Sequence, residues 1–142
     1  MARELFPLFP EAQTALSAIS ALPMAWEMAW DFEADRPVLR GGEPIIVTGV
    51  EAVKVWAFNA IKTVRYRWEM FSFQYGNELT RLIGQPFAAD TKRAEAVRYI
   101  QEALLVSAYI TRVDVTDLAL EGATLSAHVT ITTIYGEAEL DV

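Results

Sequence analysis

The run from Thr124 to Thr132 constrains the fold of this chain more than any other. Leu125, Ala127, Val129 and Ile131 alternate with Thr124, Ser126, His128, Thr130 and Thr132. Successive side chains of a strand point to opposite faces, so the run has one apolar face and one polar face. Such a strand needs paired neighbours and a cover for its apolar side. Two segments of helical period supply the cover. Val50, Val53, Trp56, Ala57, Ala60, Ile61 and Val64 share one helical face. A second helix, beyond Pro86, buries Ala94, Val97, Ile100, Leu104 and Leu105 and carries Glu95, Arg98 and Glu102 outside at pairing distance. The expected class is α+β: a single domain with a small mixed or antiparallel sheet packed on two amphipathic helices plus one short helix, preceded by an N-terminal arm and closed by a C-terminal β-hairpin.

The remaining segments fit that frame. Met24, Trp26, Met28, Trp30 and Phe32 alternate with Ala25, Glu27, Ala29, Asp31 and Glu33, which predicts a strand with its aromatic and methionine side inward. Asp35-Arg36-Pro37 and Gly41-Gly42 then turn the chain through Val38–Arg40 to Ile45–Val47, an antiparallel meander. Thr48 and Glu51 have the spacing of a capping box for the first helix, and Asp90 or Thr91 is placed to cap the second. Between the helices, Arg65 to Tyr75 reads as extended, with a slip of parity near Met70-Phe71 that predicts a bulge, bend or hairpin. Trp56, Trp68 and Phe73 are expected in the core. A short helix at 77–83, stopped by Gly84, carries Leu79, Leu82 and Ile83. Val113 and Val115 lie on one strand face, Leu118 and Leu120 shift parity, Glu121-Gly122 turns the chain, and Gly136 breaks the last strand before Glu137–Leu140. Residues 1–23 begin with Leu5-Phe6-Pro7-Leu8-Phe9-Pro10, an extended arm. It is either a loosely ordered terminus or a docking arm that uses Phe6 and Phe9, and the main domain is 24–142.

Bulk properties narrow the function. A chain of 142 residues, 53% hydrophobic, can bury a sizeable core. No cysteine is present, which removes disulfides, thiolate catalysis and cysteine-bound zinc. A net charge of −7 argues against a general nucleic-acid partner. No apolar run approaches the roughly 20 residues of a membrane span, and Glu4, Pro7 and Pro10 break any leader pattern. The chain therefore reads as cytoplasmic when made. His128 has no nucleophile or companion ligands at useful spacing. Glu27, Asp31 and Glu33, and again Glu137, Glu139 and Asp141, read as wet strand faces. Arg65-Tyr66-Arg67-Trp68 is the one basic-aromatic cluster, and its arginines are expected to pair with acids of the fold or of a partner. No enzyme, cofactor, metal or small-molecule substrate is expected.

Five short motifs in order carry a resemblance over residues 26–140. They are Trp26, Trp30, Asp31 and Phe32; Thr48, Gly49, Glu51, Ala52 and Trp56; Lys62 through Arg67; Tyr75, Gly76, Glu78, Leu79, Leu82, Ile83 and Gly84; and the closing Thr132-Thr133-Ile134-Tyr135-Gly136-Glu137. Together they resemble the small baseplate wedge or sheath-initiator proteins of contractile phage tails and phage-tail-like particles, in the prophage-type form with extra N-terminal sequence. The resemblance implies six copies around the tail tube, with wedge proteins, sheath protein and tube or hub proteins as partners. The protein would sit in the baseplate after assembly. It further implies a strand edge extended by the first sheath ring, with Tyr135, Glu137, Glu139 and Leu140 as the expected edge. The Glu-Pro-Arg step of the broader family, an anchor to the wedge, is replaced here by Ser107-Ala108-Tyr109, with Tyr109 filling the space. A regulatory protein-binding module of the anti-adaptor type on the same fold is the alternative.

Overall fold

The computed structural model describes residues 22–72 and 74–142. In chain order it contains six short strands, β1 (Trp26–Met28), β2 (Trp30–Asp31), β3 (Arg36–Pro37), β4 (Leu39–Arg40), β5 (Glu43–Pro44) and β6 (Ile46–Thr48). Helix α1 (Val50–Lys62), a 3-10 turn (Leu79–Leu82) and helix α2 (Ala89–Leu105) follow, then β7 (Ile110–Glu121), β8 (Thr124–Thr133) and β9 (Gly136–Asp141). The α+β class is as the sequence predicts. Leu5, Phe6, Leu8, Phe9 and Phe73 lie outside the described residues.

The alternating run becomes β8, the centre of an antiparallel sheet in the order β7-β8-β9. Its inward residues Ala127, Val129 and Ile131 are buried against the helices, beside Val113 of β7 and Leu140 of β9. Helix α1 adds Val53, Ala57, Phe58 and Ile61 to this cluster, and α2 adds Ile100 and Leu104. The parity shift after Val115 is a bulge between Thr116 and Ala119, with Asp117 at a positive φ of 50°. The apolar stripe of α2 runs through Ala96, Ile100, Ala103 and Leu104, whereas Ala94 and Leu105 are exposed. Arg98 pairs with both Glu95 and Glu102 on the outside, as their spacing predicts. Neither helix has a side-chain cap: α1 starts from Gly49, at φ 67°, and α2 from Ala88. The capping box fails because Thr48 is held in β6, paired with Trp26, which leaves Gly49 to take a backbone conformation that only glycine enters freely.

The N-terminal meander closes on itself. β1 pairs with β6, β2 with β3 and β4 with β5, so the last strand returns to the first. Its inward face is the opposite of the predicted one. Met24 and Trp26 are exposed (Trp26 at 67%), as are Met28 and its β6 partner Ile46, while Ala25 packs on the core. After Ala29 the phase changes, and Trp30 and Phe32 do turn inward. Phe32 meets Phe58 edge-on, with centroids 4.9 Å apart. A long-range tie accompanies the inversion: the Ala25 N–H donates to the Tyr135 hydroxyl at 3.1 Å, which holds that residue against the sheet.

Among the described residues of 65–75 no strand forms. They leave α1 as an irregular loop that exposes Tyr66, Trp68, Met70 and Phe71, so Trp68 (54% exposed) is not a core residue. Trp56 is half-buried against the core and edge-on to Tyr75. The loop is clasped at its neck by Asn77. The Asn77 side-chain amide reaches the carbonyls of Ala60, Ile61 and Thr63 at the end of α1, and its Oδ1 accepts from the Leu79 N–H. The Arg65 and Asn77 N–H groups donate across the neck to the Asn77 and Thr63 carbonyls. A Cβ on Gly76 would sit 2.7 Å from the Thr63 oxygen, so only glycine fits there.

Candidate assembly surfaces

Pairing register determines which backbone groups of the outer strands remain outside the sheet. Ala127 and Val142 exchange both N–H···O bonds, at 2.9 and 3.0 Å. In an antiparallel ladder bonded and non-bonded pairs alternate. Leu140 opposite Val129 and Ala138 opposite Ile131 are therefore bonded into the sheet. Glu137, Glu139 and Asp141 turn their N–H and C=O groups away from β8. Among the described residues no strand lies beyond β9, so these groups form a regular, open edge.

The opposite edge is guarded. By the same alternation Val113 and Val115 of β7 direct their backbone outward. The Gln101 side chain of α2 donates to the Val113 carbonyl at 3.2 Å, and irregular register interrupts the strand at Ile110/Arg112 and at Thr116/Ala119. Covers and bulges of this kind are the usual means of blunting an edge.

Side chains along β9 divide by parity. Ala138, Leu140 and Val142 face the core, and Leu140 is only 4% exposed. Glu137, Glu139 and Asp141 form an acidic ladder on the solvent face. His128 on β8 stands beside it, Nδ1 2.7 Å from Asp141 Oδ1 and Nε2 3.9 Å from Glu139 Oε2. The hydrogen bond to Asp141, then the charges of Asp141, Glu139 and Asp117, raises the His128 pKa above its ordinary 6.5. Next to the open edge lies a cleft of about 260 Å³ lined by Phe32, Glu33, Lys54, Glu139, Leu140 and Asp141. The Lys54 ammonium lies over the Phe32 ring at 5.1 Å.

The other predicted residues are placed as follows. Ser107, Ala108 and Tyr109 form the turn from α2 to β7, and the Tyr109 hydroxyl donates to the Pro23 carbonyl at 2.8 Å. The Tyr109 ring stacks on Tyr135, whose hydroxyl accepts from Ala25, so the two tyrosines fasten the start of the described chain to the sheet. Arg65 spends its guanidinium on the Gly76 carbonyl, and Arg67 lies over Trp68. Asn77 escaped sequence reading. Its one visible signal is an amide residue beside a glycine, which is ordinary turn composition.

Burial raises the pKa of Glu27, which lines two clefts, one against Ser107–Tyr109 and one against the 70–75 loop. Among the described residues neither cleft holds a second carboxylate that could serve with Glu27 as the paired acid and base of a glycosidase. Among the described residues no group of three or more His, Asp or Glu side chains is arranged to hold a metal ion, and no helix is long and apolar enough to cross a membrane.

The chain belongs to the contractile injection system sheath initiators, whose profile matches residues 26–136, from β1 to the first residue of β9. That family is one of structural tail components rather than a class of enzymes. A similar protein is the phage-like element PBSX protein XkdS of Bacillus subtilis (strain 168), 31% identical over 98 residues, which is 68% of each chain.

Proposed function

We propose that this protein sits in the baseplate of a contractile particle, held by wedge proteins, and starts sheath assembly by lending the β9 edge to a strand of the first sheath ring. The observation that supports this reading is the contrast between the two edges of one sheet: β9 is regular and open, β7 is bulged and covered. An open edge is a template for strand addition, with main-chain bonds giving affinity and alternate side chains giving register. Six copies would surround the tube. The 1–23 arm, with Phe6 and Phe9, and the exposed strip of Met24, Trp26 and Met28 are the surfaces offered to the wedge.

Electron microscopy of particles from cells lacking this gene, complemented with wild type or with Glu139→Pro, tests the reading. Proline removes an N–H that the fold itself does not use, and edge strands tolerate it on the solvent side. Deletion should give baseplates or tubes without sheath, wild type should restore sheath, and the folded proline variant should not. Normal sheathed particles from the deletion would remove the protein from sheath initiation. Full restoration by Glu139→Pro would remove β9 as the docking edge.

A further inference from the structure

We infer that the strand completing the β9 edge is basic at alternate positions, with lysine or arginine side chains set opposite Glu137, Glu139 and Asp141 and aliphatic side chains between them. This rests on reading β9 as the docking edge and names the chemistry of the partner. Acids on a strand are by themselves only a solvated face. Here the three acidic residues are the same three whose backbone groups point out of the sheet. An antiparallel strand bonding to those groups places its own residues directly opposite the acids, where cross-strand charge pairs act most strongly. The residues between them fall on the inner face, over the cleft beside Phe32 and Leu140, where an aliphatic side chain finds apolar surface.

The same geometry rejects a second copy of this chain. Two β9 strands paired across a twofold axis would set Glu139 against Glu139 and Glu137 against Asp141, and like charges directly opposite are destabilising. The chain's net charge of −7 adds long-range repulsion between copies and attraction to a basic partner. From within the sheet His128 engages Asp141 and Glu139, while Arg112, two strands away on the same face, is paired with Asp114, so Glu137 is left to the solvent.

Three synthetic nine-residue peptides test the inference, each with valine at alternate positions and either lysine, threonine or glutamate between. Each is titrated into the full chain, and amide hydrogen exchange is followed at Glu137, Glu139 and Asp141. The lysine peptide should bind on the order of tenfold more tightly than the threonine peptide, three cross-strand pairs each contributing a few-fold. The gap should close at high salt, and binding should protect those three amides. Equal binding of the lysine and threonine peptides, with the amides protected, would overturn the charge rule and leave the edge reading standing. Lysine-peptide binding without protection of these amides would overturn both, since the acids would then act only as a charged patch. Absence of binding by any peptide, or a chain already dimeric through β9, would likewise overturn both.

Discussion

β7 and β9 flank the same central strand and pair with it in the same antiparallel sense, yet they meet solvent in different ways. β7 is twelve residues long, twice interrupted, and has the Val113 carbonyl taken by Gln101. β9 is six residues long and uninterrupted, and among the described residues it carries charge but no cover. Length does not decide which edge can accept a strand; regularity and cover do. Like charges on β9 oppose pairing with another copy while leaving the backbone geometry intact.

The comparison can be broken at several points. The largest effect is expected at Leu140, because β9 is open on one side and built into the core on the other. Leu140→Ala should cost about 2–5 kcal/mol in denaturant unfolding. A value near zero would mean that β9 is an appendage. For the same reason, deleting 135–142 should unfold the chain, since it removes Leu140 and the Tyr135 tie to Ala25. Gln101→Ala comes next, at about 0.5–1.5 kcal/mol for the lost bond to Val113, with sheath initiation unchanged. If that variant assembled no sheath while remaining folded, β7 would be the working edge.

The smallest effect concerns pH. The folded-state pKa of His128 is raised, so its pairing with Asp141 and Glu139 contributes fully below 6.5 and is lost as pH rises through the raised value. Wild type should therefore melt slightly above His128→Gln at pH 6, and the difference should vanish in alkaline buffer. A constant difference would show that the ring acts through packing alone.

The C-terminal sheet was legible in the sequence because period two, the Val115-to-Leu118 parity shift and the Gly122 and Gly136 turns agree with one another. The open edge was legible only as a location at the end of the chain. Which residues turn their backbone outward depends on the partner register, and that is a tertiary fact. Apolarity misled where it was greatest. Trp26 and Trp68 are large and apolar yet exposed, and an apolar residue at the surface breaks no rule of folding. Ala25, the inward residue beside β1, is tied to a tyrosine hydroxyl 110 residues away in sequence, beyond the reach of any local pattern. Asn77 was invisible for a similar reason, since its partners are the last carbonyls of a helix that ends well upstream.

The Asn77 clasp ties two motions together. The carbonyls it satisfies are those a helix end otherwise leaves to solvent, and the same residue closes the neck of the 65–75 loop. Fraying of the last turn of α1 and release of the loop are therefore coupled through the bonds they share at Asn77. A partner that grips Trp68 or Met70 at the tip would draw on the stability of α1, and through Phe58 and Ile61 on the core beneath the sheet.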